Sequence, residues 1–500
     1  MKHLEYPRPL GMTSAFWIGT ALVAMLSAAL LYALGPYLSD VTFLIIVNER
    51  MFEGERLYLD VRDINPPFSV WLYTPYVLLQ NLTGMSAYIW LGIGLTVCLA
   101  VALLLIDYVL REGLGVPAHR AGRIVLFTAL VVLLIMPAQF AQREHFCTIA
   151  VLPWLFLLGA RIETGFRPSL TLAVLIGVFG SALLILKPHY ALGYGLPLLY
   201  LAWHRKDWRQ LFPPEALTVA LMVIGYWTIV YFAAPEFYTE MLPIAIKVYL
   251  LKFMSTQWLL VLVTMFYLPP LLIALLAMRA IQQASAIATL LLFASVGFAF
   301  AFLWQGKGWS YQQLPAIITA LTATIYIIVR HEDALSRKRM RRTGPMLIVA
   351  LTSFIGAQTT VMYQTITVPP EVHALTDRPS LFFISIDLGI TAPSARQLKA
   401  DWIDRDPSDI LAVTALVGSQ YAPPQNVQHL QTFAADWVAH KRTKLLSLQP
   451  DLIIIDERSE TWLDYVLSDA EISRELENYD PIITVEKITY LIRSDLAPGS

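Results

Sequence analysis

Residues 39–67, SDVTFLIIVNERMFEGERLYLDVRDINPP, decide how this chain is read. They follow a long apolar run, 12–34, and gather Asp40, Glu49, Glu53, Glu55, Asp60 and Asp63 where the chain leaves it. Carboxylates at a membrane exit ionise without the cost of burial in hydrocarbon, and they still reach a lipid-borne substrate. Single charges here read as solvated loop residues; the cluster reads as a place for chemistry.

The surrounding chain supplies the membrane. Of 500 residues 57% are hydrophobic and only 15% charged, against about 25% charged in soluble domains. Mean hydropathy is +0.58. Residues 365–500 hold 20 Asp and Glu against 11 Lys and Arg, a net charge of −9, so the remaining residues carry +8. Basic loops between apolar segments and one acidic terminal block are the signature of a positive-inside membrane domain followed by an exported domain. Nothing points to nucleic acid. Cys98 and Cys147 lie in or beside apolar runs, which argues against a disulfide framework.

Lys2 and Arg8 precede the first run, which is too long for a signal-peptide core and reads as a retained anchor. The run Phe68–Leu82 falls short of the roughly 20 residues a span needs and reads as a juxtamembrane or re-entrant helix. Counting it as a span would put Arg111, Arg120 and Arg123 outside, against the charge bias. Further spans are expected at 86–106, 123–138, 146–160, 169–186, before His204, and at 215–233, 258–278, 286–304, 315–329 and 345–363. The basic stretch 330–342 fixes the polarity most firmly. From about 365 the period changes. SLFFISI near 380, DLIIID at 451–456 and the closing YDPIITVEKITYLIRS read as strands, alternating with helices at 428–447 and 460–477. The expectation is an α-helical polytopic membrane protein with about eleven transmembrane helices and juxtamembrane helices in its first outer loop. Its membrane domain is 1–364, with the first outer loop at 35–85, and a small α/β domain at 365–500 lies outside the cytoplasm.

This topology sends four groups of reactive side chains to one face. They are Asp40 with Asp60, Arg62 and Asp63; Gln142 to His145; Lys187 with His189 and Tyr190; and Lys307 between two glycines. Arg143 with Glu144 also reads as an interfacial salt bridge, His145 as a packing or capping residue, and Lys187 as a lysine snorkelling from a span end. Arginine forks and compact lysine charges suit a phosphate head group. Carboxylates suit deprotonation of an incoming hydroxyl. Together they describe a transfer reaction on a lipid phosphate.

An Asp just past the first span, Gly54-x-x-x-Tyr58-x-Asp60, Pro66-Pro67 before a juxtamembrane helix, Arg143-Glu144 and Lys187-Pro188 follow one another on one face. The pattern, over roughly 12–203, resembles the C-type (GT-C) integral-membrane glycosyltransferases, most closely the protein O-mannosyltransferases and lipid A aminoarabinose transferases. The resemblance implies an inverting transfer from a polyprenyl-phosphate sugar to a hydroxyl acceptor on a glycan, lipid or protein, outside a bacterial cytoplasmic membrane. Asp40 would be the general base and Glu144 the second catalytic carboxylate, supported by Asp60 and Asp63. Arg143, Lys187, Lys307 and Arg62 would hold the donor phosphate, and Asn65, His145, His189 and Tyr190 are candidate donor or acceptor contacts. Two positions depart from the family: Val41 follows Asp40 where Glu is common, and Asn65 stands where a Lys precedes the Pro-Pro. No cofactor and no obligatory metal is expected, since a monophosphate can be neutralised by these cations and no His/Cys cluster stands in the sequence. A flippase of lipid-linked sugars would need ionisable residues mid-span and repeated topology, and an O-antigen polymerase or ligase would lack the acidic first loop.

Overall fold

The computed structural model describes residues 14–34, 39–135, 140–251, 254–281, 285–333, 338–362, 366–375 and 378–497. Lys2, Arg8, Gln139 and residues 334–337 of the basic stretch lie outside these. The chain divides into two compact units, one from 1–35, 88–228 and 254–362, the other from 36–87, 229–253 and 363–500.

The first unit is helical. Among the described residues six helices are long and apolar enough to cross a membrane: Ala87–Gly113, Arg143–Thr164, Pro214–Ala233, Thr256–Ile281, Ala286–Gln305 and Ser310–Arg330. The pair Leu170–Leu186 and Pro188–Arg205 makes a seventh if taken as one span, bent by 118°. The bend falls at Lys187-Pro188, where proline removes a helical donor. Ser14–Leu34, Ala118–Leu134 and Lys338–Met362 are also helical. Ser310–Arg330 and Arg143–Thr164 are almost wholly buried, whereas Pro214–Ala233 exposes Leu221 and Ile224. Such apolar exposure is unfavourable in water and neutral against lipid tails. Close approach uses small residues: a Cβ on Gly193 would strike the Phe298 ring, and one on Gly297 would come within 2.6 Å of the Leu192 backbone.

The second unit holds helices Ser39–Phe52, Phe68–Trp71 and Thr74–Thr83, then a five-stranded sheet. Its strands are β1 Ser380–Ile384, β2 Asp401–Trp402, β3 Leu452–Asp456, β4 Tyr479–Val485 and β5 Ile488–Arg493, in the order β2-β1-β3-β5-β4. β1 runs parallel to β2 and β3, and β5 runs antiparallel to β3. Continuous apolar runs make β1 and β3 the buried centre: Phe382, Ile384, Ile453 and Ile455 pack with Trp437, Val438 and Trp462. β4 and β5 are joined by Glu486-Lys487, both at positive φ, as a two-residue hairpin demands. β4 is an edge strand, and its Pro481 sits at a register shift, the kind of place a sheet tolerates proline. The helix Leu388–Gln397 and the two-residue β2 had no distinct periodicity in the sequence. The expected helix at 460–477 is broken into Glu460–Leu467 and Ala470–Leu476, with Asp469 capping the second through Glu471 and Ile472 N–H.

Candidate functional site

In the first unit the expected outer loop ending at His145 is shorter than its sequence implied. Helix Arg143–Thr164 begins at Arg143, so Arg143, Glu144 and His145 form its first turn. The cause is local: Gln142 is extended and Arg143-Glu144 enters a continuous apolar run, with the acid near the positive end of the helix. Glu144 is fully buried, and its Oε1 lies 3.1 Å from the Lys187 ammonium, itself 7% exposed. Lys187 reaches it because it ends Leu170–Leu186 in a non-helical conformation at the bend. Arg143, Lys187 and Glu144 all lie within Coulombic reach of Cys147. Two buried cations thus stand beside one buried carboxylate.

The neighbouring groups are polar as well. Tyr190 donates from its hydroxyl to the Gln312 carbonyl at 3.2 Å, which ties the turn Ser310–Gln313 to the turn Pro188–Tyr190. Gln313 is fully buried with neither amide atom hydrogen-bonded; the Gln312 Oε1 and the His189 Nε2 are likewise buried without partners. Gln312 and Gln313 were passed over in the sequence because glutamines after an aromatic loop carry no periodicity; their burial is the only signal. His145 is not available as a substrate contact: Nδ1 accepts from the Ala141 N–H and Nε2 donates to the Val132 carbonyl. Lys307 is 3% exposed between Gly306 and Gly308, both at positive φ, and burial pushes its ammonium down to about 8.

In the second unit Asp40 sits half-buried in the first turn of Ser39–Phe52, so it belongs to a helix start rather than to a loop. Gly54-x-x-x-Tyr58-x-Asp60 is a turn: Gly54 and Tyr58 have positive φ, Tyr58 bonds through its hydroxyl to the Asn65 carbonyl, and Asp60 pairs with Arg56 at 3.0 Å. Asp63, 4% exposed, accepts from the Asn65 backbone and side-chain amides at 3.2 and 2.7 Å. This Asx turn shapes the entry to Pro66-Pro67 and engages the Asn65 amide. Arg62 is drawn to Asp406 at 3.9 Å, which accounts for it without a phosphate. Glu49 is no solvated charge either; Arg396 holds it at 2.6 Å.

One cluster in this unit was invisible in the sequence. Lys441, 3% exposed, lies 3.0 Å from Asp404 and 2.9 Å from Asp409, and donates to the Phe383 carbonyl at 2.6 Å. Trp437 and Trp462 both donate to Asp409 at 2.9 Å. Burial alone would raise Asp404, but Lys441 outweighs it and holds the carboxyl below its ordinary range. Asp406 is pushed up to about 6 by burial and by Asp404. His440 is pushed down to about 4 by burial and by Arg405. Donor atoms of Asp404, Asp406 and His440 lie within 4.8 Å of one another, a spacing a cation could use. They fit one poorly, because Lys441 occupies Asp404 and Arg405 with Arg62 flanks Asp406. We read this cluster as a charge-compensated ion-pair network that locks the sheet to helix Pro424–Leu448.

No known family and no curated protein matches this sequence. Among solved structures, the arabinofuranosyltransferase AftD from mycobacteria aligns with 96% of this chain at a TM-score of 0.46 and 11% identity. The alignment covers 40% of AftD, so this chain spans less than half of that protein's length. A likeness of this degree carries no argument about activity.

Proposed function

We propose that this chain is a glycosyltransferase that moves a sugar from a polyprenyl-phosphate donor to a hydroxyl of a glycan, lipid or protein acceptor. The observation that carries the reading is the buried Glu144–Lys187 pair with Arg143 beside it. A guanidinium fork and a compact ammonium gathered at one buried place suit the oxygens of a phosphate group. The acceptor oxygen attacks the anomeric carbon as the bond to the phosphate oxygen breaks, with inversion. The acceptor proton passes to a carboxylate, assigned to Asp40 with Glu144 as the second acid. The departing lipid phosphate carries away the bonding electrons, stabilised by Arg143 and Lys187, with Lys307 as a third cation. Phosphate leaves without a dedicated acid, and no step asks for a metal. We assign the chain about eleven spans, a cytoplasmic membrane of bacterial type, and a site and acidic C-terminal block on the outer face.

Mass spectrometry of lipid co-purified with the protein tests the donor class. A polyprenyl phosphate that accompanies the wild type and is depleted from Arg143→Gln supports the reading. A different lipid class, retained equally by Arg143→Gln, contradicts it.

A further inference from the structure

The second unit carries a cleft of about 980 Å³, at the upper end of the range for a single drug-sized ligand and therefore large enough for an extended one. Most of the charges around it are paired internally: Glu49 with Arg396, Glu55 with Arg50, Asp60 with Arg56. Three cations are not, nor are two carboxylates, Glu53 and Asp401, which leaves the unpaired set with one net positive charge. Arg378, Lys399 and Lys444 line the cleft and make no ion pair among the described residues.

They gather at one edge for a topological reason. The parallel register pairs Ser380 of β1 with Asp401 of β2. Arg378 and Lys399 each lie two residues before those positions, at the same end of strands about 4.8 Å apart. Lys444 comes from Pro424–Leu448, where His440, Lys444 and Leu448 recur at the four-residue spacing of one helical face and all line the cleft.

Beside this edge are groups of a different kind. The Trp402 ring is 7% exposed and clamped by Phe43 at 5.9 Å and Phe383 at 5.2 Å. Its indole N–H is buried without an acceptor, and Trp402 lines the cleft. The exposed Asp401 carboxylate lines it too and makes no ion pair among the described residues. A fixed N–H donor and a carboxylate acceptor match the alternating hydroxyl groups of a sugar, whereas the three cations ask for anionic substituents.

We propose that this cleft binds an acidic saccharide chain, a polyhydroxylated ligand bearing carboxylate or phosphate groups. Calling that ligand the acceptor rests on the proposed transfer; its binding does not. The test therefore uses the full chain without any donor, in phosphatidylcholine nanodiscs and in matched discs containing phosphatidylglycerol. Titration calorimetry compares oligogalacturonate, a neutral malto-oligosaccharide of equal length and inorganic phosphate. Oligogalacturonate is expected to bind most tightly, and Lys399→Gln/Lys444→Gln, which alters only residues outside the core, is expected to weaken it by roughly tenfold or more. Trp402→Phe, which keeps an aromatic ring between Phe43 and Phe383 but removes the N–H, should weaken both saccharides, with an unchanged melting temperature showing that the smaller ring has not disturbed the fold. Equal binding of the neutral oligosaccharide, equal binding of phosphate alone, an unchanged double variant, or recruitment only by phosphatidylglycerol in the disc would each overturn the proposal. Intact binding in a protein that transfers no sugar would overturn the transferase reading and leave this one standing.

Discussion

Replacing Lys187 by methionine keeps the length and apolar bulk of the side chain and deletes its charge. The ammonium sits 3.1 Å from a Glu144 oxygen, with the two side chains 7% and 0% exposed. At an effective dielectric of about 20, charges at that separation attract by roughly 5 kcal/mol. The attraction is offset by desolvation in the intact pair, but the variant leaves a buried carboxylate without its closest cation, which costs about 3 to 5 kcal/mol. Arg143 remains nearby, so we expect the lower figure, near 3 kcal/mol. For a unit of this size that corresponds to a fall in apparent melting temperature of roughly 5 °C. Scanning fluorimetry in one detergent at one scan rate measures it. Lys187→Met/Glu144→Gln removes the stranded charge and should recover most of the loss without restoring transfer. A single variant that melts with the wild type, or a double variant no more stable than the single, would refute the reasoning.

In the second unit, Lys441→Met should destabilise the sheet by about 3 to 5 kcal/mol, because it strands Asp404 and Asp409; chemical unfolding followed by tryptophan emission, with Trp437 and Trp462 both bonded to Asp409, reads the loss. Donor affinity should decline as pH rises through the Lys307 value of about 8, since only the protonated amine attracts phosphate; Lys307→Arg should flatten that profile between roughly pH 7 and 9.

The helical layer of this protein was legible because lipid enforces a simple rule, long apolar runs separated by charged loops. Leu170–Leu186 and Ala286–Gln305 lie within one or two residues of the limits expected for them. The central strands were legible as unbroken apolar runs. Arg143-Glu144 and Lys187-Pro188 stood out because charge at the end of such a run is costly, and two of those four residues do form a buried pair. The helical start at Arg143 was missed because charged residues at a span end look like loop. Less could be read where charge is cancelled through space. Lys441 finds Asp404 across 37 residues and Glu49 finds Arg396 across 347, and no local spacing announces either. Gln312 and Gln313 are informative only through burial, and Arg62 and Asn65, plausible phosphate or sugar contacts in sequence, are engaged by Asp406 and Asp63.

The most direct test supplies radiolabelled polyprenyl-phosphate sugars and a membrane extract to the purified, lipid-reconstituted protein and follows label into the acceptor. Wild type should transfer sugar, and Asp40→Asn and Glu144→Gln should each slow transfer by roughly 10²- to 10⁴-fold while remaining folded. Full transfer by both variants would remove these carboxylates from the chemistry, and label that crosses the membrane still attached to its lipid would contradict the transferase reading itself.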